Sequence, residues 1–104
     1  MISIIKKLFG YKPEENYREL LEKGGMILDV RTKEEYNNGH IKGSVNIPLD
    51  KIHANISKLE KNKPIITCCA SGMRSATAKS LLKSNGFADV YNGGGWMNLK
   101  NKIN

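Results

Sequence analysis

The sequence predicts an α/β domain, with a parallel sheet covered by helices on both faces. Three observations predict it. Short apolar runs of strand length alternate with stretches of helical periodicity along the chain. Runs such as Ile65 to Cys68 hold no charged residue, as expected of strands buried on both faces. The 104 residues suffice for one domain with a core, but not for a second catalytic domain.

Each element has its own local reason. Met1 to Phe9 is apolar and carries Lys6 and Lys7. It lacks the charge order and cleavage site of a signal peptide and is too short to span a membrane. Residues 1–12 are expected to form an N-terminal extension that packs on the domain or frays, ahead of a domain over residues 13–104. Pro13 opens a helix with Tyr17, Leu20 and Leu21 on one face, and Gly24-Gly25 stops it. Glu19 and Lys23 are spaced to pair across one turn. Met26 to Val30 is a strand, and Lys33 to Asn38 is a single helical turn ending at Gly39. Ser44 to Ile47 is a second strand, closed by Pro48. Asp50 can cap a helix bearing Ile52, Ile56 and Leu59. Pro64 precedes the strand Ile65 to Cys68, where a proline is tolerated. The helix from Arg74 buries Ala78, Leu81 and Leu82 and stops at Asn85-Gly86. Asp89-Val90-Tyr91 is a last strand before Asn92-Gly93-Gly94-Gly95-Trp96.

Composition narrows the function. The net charge of +7 favours anionic partners or substrates. The lysines are scattered and no aromatics interleave with them, so nucleic-acid binding is not expected. The two cysteines are adjacent and cannot staple distant parts of the fold. They imply a reactive thiol or a reducing compartment, so the cytoplasm is the expected location. Neither histidine sits in a cluster with metal-ligand spacing, and no metal is expected.

The most informative stretch is Thr67-Cys68-Cys69-Ala70-Ser71-Gly72-Met73-Arg74-Ser75. It ends an apolar strand and opens a helix, at the edge where parallel sheets bind ligands. Backbone N–H groups, a helix N-terminus and Arg74 can converge there on a thiol, lower its pKa and bind anions. Gly72 permits the turn. Two spacings overlap. Four residues separate Cys69 from Arg74; five separate Cys68 from Arg74, which is the cysteine-phosphatase spacing. The smaller loop suits a terminal sulfur on the cysteine, the larger a tetrahedral phosphate. Neighbours on a strand point to opposite faces, so Cys68 is expected in the core and Cys69 first out at the edge. No acid lies in the loop or its following helix turn to serve a phosphatase.

The chain resembles the rhodanese family over nearly its whole length. Asp29-Val30-Arg31, Glu34-Glu35-Tyr36 and Gly39 to Pro48 look like its first signature. Cys69 to Ser75 looks like its active loop, and Gly94-Gly95-Trp96 like its C-terminal signature. The resemblance implies a rhodanese-like parallel sheet of about five short strands with helices on both faces. It implies a sulfurtransferase in which Cys69 carries a persulfide and Ala70, Ser71, Gly72, Met73 and Arg74 cradle it. The donor would be thiosulfate, a persulfide or a polysulfide, and the acceptor cyanide, a small thiol or a thiol protein. No cofactor and a monomer are expected. The alternatives are a sulfur-carrier or interaction module without efficient turnover, and a phosphatase or arsenate reductase of related fold. The sequence departs from the family pattern at Cys68, often aromatic there, and in having one basic residue in the loop.

Other residues have structural readings. His40 is expected to hold the Gly39 to Gly43 turn, His53 to lie on a helix surface, and Trp96 to be a core or edge aromatic. Arg31 and Glu35 are expected to pair with each other. Asp29, at a strand's carboxyl end, is expected to stand behind the site.

Overall fold

In a computed structural model of the chain, residues 16–104 are described. The expected Pro13 helix start and the Met1 to Phe9 segment lie outside them. The order is α1 (Tyr17–Glu22), β1 (Met26–Asp29), α2 (Lys33–Asn37), β2 (Val45–Asn46) and α3 (Ile52–Asn55). Then come β3 (Ile65–Cys69), α4 (Met73–Ser84), β4 (Val90–Gly95) and α5 (Trp96–Ile103). The strands form one parallel sheet in the order β2-β1-β3-β4. These four strands, near the expected five, grow from the four apolar runs of the sequence.

Local chemistry sets the ends of the helices. The Asn16 side chain accepts from the Glu19 N–H and starts α1. The expected Glu19–Lys23 pair forms at 3.3 Å. Thr32 and Glu35 form a reciprocal capping box at the start of α2. The expected Ile52 to Leu59 helix is corrected. It is one α turn between two 3₁₀ turns, Leu49–Lys51 and Ile56–Lys58. Asp50 lies inside the first 3₁₀ turn and caps nothing. β-branched Ile52 and Ile56 lose rotamer freedom in a helix, and the Asn55 amide bonds the Lys51 carbonyl at 2.8 Å.

The core lies in two layers, one on each face of the sheet. One packs Leu28, Val30, Ile52, Ile65, Leu82, Phe87 and Val90. The other packs Tyr17, Ile27, Ile41, Ile66 and Leu99. The alternation of β3 sends Ile65 and Cys69 to the first layer, Ile66 and Cys68 to the second. Cys69 is the last residue of β3 and is as buried as Cys68, which corrects the expectation that it emerges at the edge. Opposite faces, not different depths, separate the two sulfurs.

Candidate functional site

The site forms where β3 ends and α4 begins, at the carboxyl edge of the sheet. Gly72 turns the chain with φ +103°, a left-handed value that disfavours a side chain. The turn aims backbone N–H groups at Cys69 Sγ. Gly72 N–H reaches it at 3.0 Å and Ser75 N–H at 3.4 Å. The Cys69 S–H faces Ser75 Oγ at 3.5 Å. Burial pushes the Cys69 pKa up, but the Ser75 hydroxyl and the N–H groups of Ser75, Gly72 and Ser71 outweigh it and hold the thiol below its ordinary value.

Behind the loop stands a network the sequence reading assigned no role. Ser75 Oγ donates to Asn92 Oδ1 at 2.6 Å, and Gly94 N–H donates to the same oxygen at 2.9 Å. The Asn92 amide donates to the Gly72 carbonyl at 3.2 Å, tying the loop to β4. Thr67 Oγ1 donates to the Ser75 carbonyl at 2.8 Å. A register shift makes this reachable: Thr67 pairs with Asn92, but Cys69 pairs with Gly95. The extra β4 residue brings Gly94 and Gly95 against the loop, where a Cβ on Gly95 would lie 2.9 Å from the Ala70 carbonyl oxygen. One signal was present: asparagine ahead of glycines commonly bonds the backbone two residues on, as Asn92 does to Gly94.

The ion pairs differ from expectation. Arg31 does not pair with the Glu35 side chain; it reaches only the Glu35 carbonyl, at 3.3 Å. Its carboxylate partner is Asp29, held by Nη2 at 2.7 Å and Nε at 3.0 Å, both groups buried. That strand-end carboxylate sits beside the guanidinium as soon as the chain leaves β1. The Gly39 carbonyl and the Trp96 ring complete the Arg31 site. Glu35 instead forms a two-pronged bond with Arg74, at 2.7 and 2.9 Å. The Arg74 bond and the Thr32 N–H lower the Glu35 pKa to about 2. The pair with Glu35 raises the Arg74 pKa despite some burial. The loop's one cation thus carries its own counter-charge, and N–H groups rather than a free guanidinium surround the sulfur.

The remaining candidates fall as follows. Ala70 and Ser71 are exposed, and Met73 is 80% exposed at the mouth of the loop. Cys68 faces the other way; burial and the Asp29 charge push its pKa up to about 12. His40 is exposed, stacks on Tyr36 at 3.7 Å and bonds the Tyr36 carbonyl through Nδ1 at 2.7 Å, so it braces its turn. His53 lies exposed on α3, and Trp96 packs half-buried against the second layer. Among the described residues, no group of three or more His, Cys, Asp or Glu could hold a metal ion. No helix there is long and apolar enough to cross a membrane.

A parallel sheet with a cysteine loop at its carboxyl edge and a glycine-rich strand closing on that loop defines a class. Residues 13–102 match the family described as Rhodanese-like domain, and the chain belongs to that family. It is 33% identical over 87 residues to thiosulfate sulfurtransferase GlpE of Pseudomonas savastanoi pv. phaseolicola (strain 1448A / Race 6), covering 84% of this chain and 82% of GlpE. It is 44% identical over 66 residues to the putative sulfur carrier protein YrkF of Bacillus subtilis (strain 168), covering 64% of this chain. The chain spans 36% of YrkF and 62% of a second Bacillus subtilis relative. Among solved structures, a rhodanese with anions from E. coli superposes with a TM-score of 0.67 and 33% identity, covering 71% of this chain and 89% of that one.

Proposed function

We propose that residues 13–104 act as a sulfurtransferase whose nucleophile is Cys69. The observation that carries this reading is the set of N–H groups and the Ser75 hydroxyl converging on one sulfur at the sheet mouth. The Cys69 thiolate attacks the outer sulfur of a donor. A bond forms between Sγ and that sulfur, the donor's own bond to it breaks, and the leaving group departs with the electron pair. From thiosulfate the leaving group is sulfite; from a persulfide it is a thiolate. An acceptor thiolate or cyanide then attacks the outer sulfur of the Cys69 persulfide and regenerates the Cys69 thiolate. The scheme is covalent and ping-pong. The N–H groups of Ser71, Gly72 and Ser75 hold the negative sulfur in both states.

The rival phosphatase spacing begins at Cys68, whose sulfur lies on the opposite face among apolar side chains. A second reading keeps the persulfide chemistry but makes the chain a sulfur carrier that passes its sulfur to a protein. The similarity to YrkF and the Glu35 counter-charge on Arg74 favour it over rapid thiosulfate turnover. Intact-protein mass after exposure to a persulfide donor tests both readings. A gain of one sulfur atom, discharged by cyanide, is expected. No gain overturns both. A gain without catalytic production of thiocyanate selects the carrier.

A further inference from the structure

One proton in the network behind the loop has two acceptors within reach. Ser75 is fully buried. Among the described residues its hydroxyl oxygen meets Asn92 Oδ1 at 2.6 Å and Cys69 Sγ at 3.5 Å. A hydroxyl has a single proton to donate. The Asn92 amide cannot turn its oxygen away, because two backbone groups fix its orientation. Gly94 N–H, which can only donate, faces Oδ1 at 2.9 Å. The Gly72 carbonyl, which can only accept, faces Nδ2 at 3.2 Å. A flipped amide would set donor on donor and acceptor on acceptor. The Asn92 backbone is held as well, since the Tyr17 hydroxyl donates to its carbonyl at 3.3 Å. Oδ1 therefore always offers Ser75 an acceptor. While Cys69 is a thiol, its S–H donates to Ser75 Oγ and the Ser75 O–H donates to Asn92, so each group has a partner. A charged sulfur reverses the demand. It accepts only, and Ser75 then faces it with lone pairs unless the hydroxyl turns.

We propose that Asn92 is a positioning residue that keeps the Ser75 proton off the Cys69 sulfur while that sulfur is uncharged, and yields it when charge gathers there. The proposal rests on the sulfurtransferase reading and adds a device to the same site. Charge on Sγ changes through the cycle. In the resting thiolate it sits on Sγ. The hydroxyl turns to the sulfur, and Asn92 Oδ1 keeps the Gly94 N–H alone. In the persulfide the outer sulfur carries the charge, Sγ is a poor acceptor, and the hydroxyl returns to Asn92. On discharge the acceptor bonds to the outer sulfur, the Sγ–S bond breaks, and the electron pair goes to Sγ, the leaving group. The hydroxyl swings back as that charge develops. An interaction that strengthens only there speeds the step. No proton leaves Ser75 at any point; only its hydrogen bond moves. The fixed charges near the loop take no part in the exchange. They are Arg74 of α4 with Glu35 of α2, Asp29 of β1 with Arg31, and Asp50, which shares a cavity wall with Arg74. The Cys68 thiol lies on the opposite face, and Asn92 to Gly95 of β4 carry no charge.

A double-mutant cycle on the midpoint of Cys69 alkylation against pH tests this. Asn92→Ala frees the Ser75 hydroxyl for the sulfur, but it also loosens the loop, whose Gly72 carbonyl loses a partner. Loosening acts alike with and without the hydroxyl, so making Asn92→Ala in the wild type and in the Ser75→Ala background cancels it. The midpoint shift from Asn92→Ala is expected to lie lower by roughly half a pH unit when the hydroxyl is present, as competition for one hydrogen bond allows. Asn92→Asp gives the opposite sign. It offers Ser75 a stronger acceptor, and the rise caused by its charge should be larger when the hydroxyl is present. Cyanide discharge of the preloaded persulfide should show the same coupling for Asn92→Ala, roughly threefold in rate. Equal shifts in the two backgrounds, or both signs reversed, overturn the role of Asn92 and leave the sulfurtransferase reading intact. A wild type that takes up no sulfur overturns that reading and with it the discharge step, while the alkylation cycle still decides the exchange of the hydrogen bond.

Discussion

The two sides of the carboxyl end of β3 hold the same residue type in opposite chemistry. Cys68 and Cys69 are neighbours, 0% and 1% exposed. On one side Cys68 meets apolar side chains and the Asp29 charge, and its thiol is pushed up to about 12. On the other, Cys69 meets donors and its thiol is pulled below its ordinary value. Burial is common to both, so burial does not decide reactivity here. What decides it is whether backbone N–H groups point at the sulfur and a polar side chain faces it. The ion pairs divide in the same way. Asp29–Arg31 is buried and structural, with side-chain exposures of 0% and 5%. Glu35–Arg74 is half-exposed, at 36% for each side chain, and lies at the site.

The comparison breaks most directly on the sulfurs. Cys69→Ser is expected to abolish sulfur loading to below detection by intact mass, while Cys68→Ser retains most of it. Cys68→Ser places a hydroxyl in an apolar layer, and a stability loss of about 1–3 kcal/mol accompanies it in denaturant unfolding. Loading by the Cys69 variant but not the Cys68 variant reverses the assignment.

The buried ion pair gives the next largest effect. Asp29→Ala strands the Arg31 guanidinium, and removing one partner of a buried pair costs about 3–5 kcal/mol. A urea midpoint far below wild type is expected. Under native conditions the folded fraction should still load sulfur on Cys69. Slow loading at unchanged stability would mean that the two sides of the sheet are coupled through β1.

Ser75→Ala probes the donors alone. It removes the hydroxyl from Cys69 and one of the two hydrogen bonds to Asn92 Oδ1, and leaves the backbone N–H groups in place. The Cys69 pKa should rise, and sulfur loading at neutral pH should fall by roughly tenfold, about what loss of one hydrogen bond to a charged group predicts. Alkylation rate against pH reads the midpoint. Wild type should titrate below the free-thiol value of about 8.5 and the variant closer to it. A wild-type midpoint at or above that value means the loop does not activate the sulfur.

Much of this was legible in the sequence, for particular reasons. The strands could be read because both faces of the sheet are covered, which leaves runs such as Ile65-Ile66 apolar throughout. The opposite facing of Cys68 and Cys69 follows from strand alternation, a rule that holds however deep the strand end lies. The partner of Arg31 could not be read. Asp29 and Glu35 are both near it in sequence, and the choice depends on the exit angle of the chain from β1. Once Asp29 takes Arg31, the Glu35 carboxylate is left to a residue 39 positions away. The role of Asn92 was hidden for a similar reason, since only the pairing of β4 with β3 sets it behind the loop.

The smallest expected effect falls on the exposed pair. Glu35→Gln keeps the capping box, because glutamine serves at that position as glutamate does. It removes the counter-charge from Arg74 and leaves a free cation beside the loop. Thiosulfate kcat/KM is expected to rise by roughly threefold, as a half-exposed pair allows, and the gain should shrink at high salt. Stability responds in the opposite sense. The folded Glu35 pKa is lowered from 4.5 to about 2, so the pair's contribution is present above the unfolded value and is lost as pH falls toward 2. Thermal midpoints at neutral pH and near pH 3 should therefore converge between wild type and Glu35→Gln as the acid arm is reached. A thiosulfate rate unchanged by Glu35→Gln at low salt would show that the Arg74 charge does not govern donor choice. The contrast between the buried and the exposed arginine would then be one of stability alone.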